Sequence, residues 1–370
     1  MGKVVPARLA REHGLARRVW RPLIVLSLAW CMVCWSAVTG QAAEKRTFIA
    51  SNGIRSRSLA LAGAYISVED DLSAVMWNPA ACGDHPQRGT LFRLYVQPLA
   101  PLIAARDLCE LDTRWKRDDR LTVQESLLAL ALLLKGATFS TPTLGIGVLG
   151  FEESVNHRPS RRFFDFRSAV ATYWNVLAVN VRLADTVSLG GSAALCHRWD
   201  EQANRVLGDA YSFGVLLKPD PRMNVGLTYF DLSRDVADSR SHLERIGDQT
   251  VNAGFSYYPD DKTVLCLDLR NLNDEEREAA REIHLGVERI VLNYCALRIG
   301  YFRRKLSNPA DHVFTTGIGI ARSEHMLARG RPASRLEVLS YAFIREECTA
   351  PGGPRQGSQN WHALSVLLRI

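Results

Sequence analysis

At 370 residues the chain is long enough for one large domain or two ordinary ones. Its formal charge of +7 points first to a nucleic-acid partner, but residues 1–43 hold six Lys/Arg against one acid, and the remainder carries only about +2. That is no electrostatic footprint for DNA or RNA.

Met1–Ala43 reads as a secretory signal. Arg8, Arg11, Arg17, Arg18 and Arg21 form a basic leader, Leu23–Val38 an apolar core, and Gly40-Gln-Ala-Ala43 a small-residue cleavage site. The apolar run is short for a membrane span; an uncleaved anchor is the alternative. Cys31 and Cys34 form a C-x-x-C inside this segment and would leave with it. Cys82, Cys109, Cys196, Cys266, Cys295 and Cys348 are scattered without zinc spacing. Cys82 with Cys109 is a candidate disulfide for an oxidising periplasm.

Residues 44–90 form a second, distinct segment. Its centre is Leu59–Ala81, where small residues at Ala60, Ala62, Gly63 and Ala64 permit close backbone approach. Glu69, Asp70 and Asp71 follow, and Asp71 is placed to cap a short turn beginning at Leu72. Ser73 and Ala74 continue that turn, and Asn78-Pro79 ends it, because the residue before proline is pushed out of the α region. Taken singly, an Asp-Asp pair and an Asn-Pro are ordinary turn chemistry. Taken in order, Gly63-Ala64, Asp70-Asp71, Ser73-Ala74 and Asn78-Pro79-Ala80 resemble the N-terminal signature of outer-membrane barrels of the FadL type, the long-chain fatty-acid transporters, and of the related PorV/PorQ barrels. Ala81 stands where those families usually have glycine. The resemblance implies a hatch inside a barrel lumen, signed by these nine residues, in a Gram-negative outer membrane. It further implies hydrophobic ligands or, for a PorV-like barrel, a non-catalytic place among secretion-system proteins.

Beyond Ala43 no stretch has the 18 or so unbroken apolar residues of a membrane helix. Short alternating segments follow instead. In Thr263–Arg270, Leu265, Leu267 and Leu269 share one face and Cys266, Asp268 and Arg270 the other. In Ala296–Tyr301, Leu297, Ile299 and Tyr301 oppose Arg298 and Gly300. Pro219-Asp-Pro-Arg222, Pro259-Asp-Asp-Lys262 and Ala184-Asp185 mark tight turns. The stretches 199–208, 233–249, 272–282 and 303–311 are long and charged. Short turns alternating with long polar loops match a transmembrane barrel. A soluble sandwich would alternate too, with the apolar face inward.

Strands are predicted at 91–98, 127–134, 143–152, 168–183, 187–199, 208–217, 223–232, 249–258, 263–272, 283–290, 295–304, 312–321, 334–345 and 361–370. The signal segment and the resemblance tip the choice from sandwich to barrel, so the expected fold class is all-β: a closed antiparallel barrel of about 14 strands spanning 91–370. Thr122-Val-Gln-Glu125 is a capping box, so 127–134 reads equally as a helix, which leaves twelve strands. Ile370 replaces the terminal aromatic that the outer-membrane assembly machinery reads in such barrels.

Catalytic motifs are missing: no G-x-S-x-G, H-E-x-x-H, Walker loop or Rossmann fingerprint occurs. His157, His197, His242, His284, His312 and His362 are too far apart to imply a metal. The expectation is a non-enzymatic chain without cofactors, whose partners are outer-membrane lipid and a hydrophobic small molecule.

Overall fold

Alternating β-branched and aromatic residues between Pro-Asp turns build an antiparallel meander. A computed structural model describes residues 47–50, 56–69, 72–82, 86, 89–97, 133–152, 172–199, 205–232, 249–273, 282–291, 294–304, 311–321, 337–348 and 357–369. Arg46–Ile370 is one compact unit, to which every feature below belongs. The expectations for residues 1–43, Asp70, Asp71, Cys109 and the capping box at Thr122 lie outside the described residues.

The strands are β1 (Thr47–Ala50), β2 (Leu91–Val96), β3 (Leu134–Ser140), β4 (Leu144–Glu152), β5 (Thr172–Ala184), β6 (Val187–Trp199), β7 (Arg205–Asp220) and β8 (Met223–Leu232). They continue as β9 (Thr250–Asp260), β10 (Thr263–Arg270), β11 (Glu282–Val291), β12 (Cys295–Arg304), β13 (Asp311–Ala321), β14 (Glu337–Cys348), β15 (Gly357–Ser365) and β16 (Leu368–Arg369). Between β1 and β2 lie one short helix, α1 (Ser56–Ala60), and two 3₁₀ turns, η1 (Leu72–Met76) and η2 (Pro79–Ala81).

The strands form one sheet in which β2 to β15 make up 14 antiparallel strands in chain order. At one edge β1 lies parallel to β15, with Thr47 opposite Asn360. At the other, β16 pairs with β2 through Leu368 opposite Val96 and Arg369 opposite Tyr95. Among the described residues no ladder joins β1 to β16, so the ring expected from the sequence is not closed as a continuous ladder. The second predicted strand, 127–134, lies outside the described residues except at its last two positions. Strand β3 begins at Leu134, and a register shift between Leu134 and Gly136, opposite Val96 and Tyr95, interrupts its alternation. Leu134 and Phe139 point to one face, and Thr138 and Ser140 to the other.

The turns follow from local chemistry. Asp220 accepts a hydrogen bond from Arg222 N at 2.7 Å, and Asp260 from Lys262 N at 2.8 Å, each side chain closing its own hairpin. Thr141 Oγ1 accepts from Leu144 N at 2.9 Å between β3 and β4.

The two faces of the sheet are unlike, and in the inverse sense to a soluble protein. The uncovered face carries Val148, Leu177, Val181, Leu189, Phe213, Leu227, Leu265, Leu285, Ile299 at 65% exposed, and Phe314. The covered face carries Asn180, Ser212, Asn224, Ser256, Asp268, Arg270, His284, Glu288, Arg298 and Thr315, all buried. Water would drive the opposite arrangement.

Candidate functional site

Residues 56–69 and 72–82 cover the polar face. The segment has little regular structure of its own. Helix α1 ends with Gly63 N donating to Ser58 O at 2.7 Å and Ala62 N to Leu59 O at 3.0 Å. That double closure puts Ala62 (φ 54°) in the left-handed position glycine normally takes, at a cost of about 1–2 kcal/mol. Gly63 (φ 75°) follows. With so few internal bonds, the segment's backbone groups must find partners elsewhere.

The strands supply them. Thr315 Oγ1 donates to Ala60 O at 2.9 Å, and Arg270 donates to Gly63 O. The Asp268 carboxylate accepts from Tyr65 N at 2.8 Å and Ile66 N at 3.1 Å. Asn224 and Ser256 both donate to Ser67 O at 3.2 Å. Asn180 donates to Ala80 O at 2.7 Å and Cys82 O at 2.8 Å. A row of polar side chains on β5, β8, β9, β10 and β13 thus replaces the ladder this stretch of chain lacks.

Charge reinforces the hold. Glu288 on β11 accepts from Arg57 of α1 at 2.8 and 3.0 Å and from Arg298 on β12 at 2.5 Å. Arg298 also donates to Ser340 at 3.0 Å. The Arg270 guanidinium lies 4.5 Å from the Trp77 ring centroid, and Lys218 pairs with Glu69 at 2.6 Å. His284 sits between Ala62 O at 2.6 Å and Glu282 at 2.9 Å, stacked on Phe302.

Close approach is made possible by strand glycines. A Cβ at Gly190 would strike Pro79 and Ala80, at Gly226 the Ile66 carbonyl, at Gly300 the Leu61–Ala62 backbone, and at Gly317 Ala60. Gly190 pairs with Gly214, Gly226 with Gly254, and Gly286 with Gly300 across their ladders. These paired gaps let main chain lie directly on the sheet.

The opposite flank of the segment is apolar. Leu61, Tyr65, Val68, Val75 and Trp77 pack with Tyr95, Leu149, Trp174, Val176, Phe230 and Val264. Between Val75–Met76 and Trp174, Ala194, Ser212 and Phe230 lies a cavity of about 20 Å³, room for a water and not for a solute. The segment is therefore held by ion pairs to β7 and β11 and by an apolar cluster that runs from β2 to β10.

The signature residues sit as follows. Gly63, Ala64, Ala74, Asn78, Pro79 and Ala80 all lie in this segment; Ala64, Ala74, Asn78 and Ala80 are fully buried. The backbone of Ser73 lies in η1. Asn78 does more than end a turn. It caps η2, accepting from Ala80 N at 2.9 Å, and donates to Ile66 O at 2.9 Å and Val215 O at 3.2 Å. The wall residues Asn180, His284 and Glu288 were not singled out as site residues, since no spacing marks them. Their one signal is a polar or charged residue in the middle of an alternating strand. Cys266 faces the covered side as its alternation predicts, but is buried against the segment and not open to water.

No family model matches the chain, and no curated protein matches it. Among solved structures it is similar to the toluene transporter TbuX of Ralstonia pickettii, with 11% identity and TM-score 0.41 over 85% of this chain and 96% of that one. It is similar to a Pseudomonas aeruginosa FadL homologue, with 10% identity and TM-score 0.40 over 87% and 97%. A variant of Rh. blastica porin gives 12% identity and TM-score 0.33 over 64% and 77%. At these scores none of the three carries weight for this chain.

Proposed function

We propose that this chain is an outer-membrane β-barrel channel for passive entry of hydrophobic small molecules, with residues 56–82 as its hatch. The supporting observation is the inverted sheet: apolar side chains on the uncovered face, charged ones buried beneath a single segment. A membrane satisfies the first, and a plugged lumen the second. In this reading β15 and β16 are one strand interrupted at Val366-Leu367. The pairing of β16 with β2 then brings the last strand to the first and closes the barrel.

Transport follows from the two-sided grip. Polar side chains of the wall anchor Arg57, Gly63 and Tyr65, while Val75 and Met76 of η1 border a cavity lined largely by apolar side chains. A shift of η1 away from Trp174, Val176 and Phe230 would open an apolar path, which a hydrophobic solute such as a fatty acid could follow past the polar leaflet. The chain itself needs no reacting group for this. Residues 1–43 would direct export and be removed.

The test is reconstitution. Purified protein in liposomes should accelerate uptake of a long-chain fatty acid, while leak of a small sugar stays at the protein-free level. Sugar leak without fatty-acid selectivity would indicate an open pore and reject the hatch. No uptake by a heat-resistant, folded barrel would reject transport and favour the PorV-like role.

A further inference from the structure

His284 carries a proton count that the neutral state of its surroundings cannot meet. Its Nδ1 lies 2.6 Å from Ala62 O, and its Nε2 2.9 Å from a Glu282 carboxylate oxygen. A backbone carbonyl accepts only, and so does an ionised carboxylate. Two short contacts to two acceptors need two protons. A neutral imidazole beside an ionised Glu282 has one. The arrangement therefore holds an extra proton, either on the ring or on the carboxyl group, and the pair as a whole is uncharged.

We propose that His284 and Glu282 form a proton-dependent latch on the Ala62 turn of the hatch, an inference that rests on reading residues 56–82 as a hatch. When the pair loses its extra proton, one remains for two acceptors. A hydrogen bond to a carboxylate is roughly twice as strong as one to a neutral carbonyl. The proton stays with Glu282, and Ala62 O faces a bare lone pair. Ala62 is the one residue of this turn held left-handed without being glycine, so release of its carbonyl lets the backbone relax.

The surroundings permit the change. The hatch presents Arg57 to this wall. Strand β10 presents Asp268, opposite His284 in register, and Arg270. Strand β11 itself adds Glu288, and β12 adds Arg298, with Phe302 against the ring. Among the described residues, cations at Arg57, Arg270 and Arg298 stand near the negative charge that deprotonation leaves on the pair. What deprotonation costs is the Ala62 hydrogen bond. The extra proton is what holds Ala62 O, so the hatch is held in acid and loosened as pH rises.

Hydrogen exchange on the purified, detergent-folded protein tests this, with peptides covering 61–66 followed as protection factors across pH. If one proton is lost on opening, protection should fall roughly tenfold per pH unit over the range where the pair deprotonates. In Glu282→Gln the amide can donate to Nε2 while a neutral ring still donates to Ala62, so protection should be independent of pH. In His284→Asn a fixed amide donor replaces Nδ1, with the same expectation, and this variant serves if Glu282→Gln does not fold. Flat protection in the wild type would overturn the latch. An unchanged pH slope in either folded variant would do the same. Exchange is read without any solute, so failure of the uptake assay leaves this result standing, and a flat profile would leave the channel reading intact.

Discussion

Replacing Glu288 with alanine should separate the proposed hatch from the wall most sharply. In the docked state Glu288 is 1% exposed and accepts from both Arg57 and Arg298. Its removal leaves two guanidiniums buried, one on the hatch and one on β12. Breaking a buried pair by removing one partner costs about 3–5 kcal/mol. Once the hatch leaves, water reaches both guanidiniums, so nearly all of that cost falls on docking and little on the barrel. At about 1.4 kcal/mol per decade, the undocked population rises by roughly two to nearly four decades. Planar-bilayer recordings should show frequent large openings absent from the wild type, with the heat-resistant band in detergent unchanged. Adding Arg57→Ala should recover part of the loss, since one of the two stranded charges is then gone. A folded Glu288→Ala protein with wild-type conductance would refute the reasoning, because the ion pair would then not be what holds the hatch.

Further outcomes follow from the same geometry. In a background without other cysteines, Cys266 should react slowly with a membrane-impermeant thiol reagent and much faster in Glu288→Ala, because the segment covers it; equal rates would place the hatch elsewhere. Gly226→Ala would drive a Cβ into the Ile66 carbonyl and should cost about 1–3 kcal/mol of hatch docking, measured by exchange protection of residues 64–68. Gly191→Ala, whose nearest contact would be an ordinary 3.8 Å, should leave that protection unchanged. Leu265→Arg, on the uncovered face, should disfavour membrane folding by about 2–4 kcal/mol if it sits at mid-bilayer; undiminished folding into liposomes would argue against lipid on that face. Asn78→Ala strands Ile66 O and Ala80 N and should cost about 1–3 kcal/mol for each group left unpaired, read as raised leak.

Much of the fold was legible in the chain itself. Period-two alternation assigns Leu265 and Leu269 to one face and Asp268 and Arg270 to the other, because side chains on a strand must alternate. The Pro-Asp turns place the hairpins at Asp220 and Asp260, because an aspartate closes the turn with its own side chain. The small-residue stretch around Gly63 marks where backbone comes close. Leu127–Leu134 is an apolar run without a period and so contains no register, whereas in β3, Leu134–Ser140, Thr138 and Ser140 share one face.

Which face is covered, and by what, was decided only by tertiary structure. Alternation is symmetric under exchange of inside and outside, so the same strands would suit a soluble sandwich. The symmetry breaks when residues 56–69 and 72–82 lie on the polar face, accepting hydrogen bonds from Asn180 and Thr315 and donating to Asp268, contacts spanning 100 to 255 positions of chain. Nothing local specifies such pairs. A charged residue in mid-strand states only that a partner is required, and the identity of that partner depends on which distant backbone groups the fold leaves without a ladder.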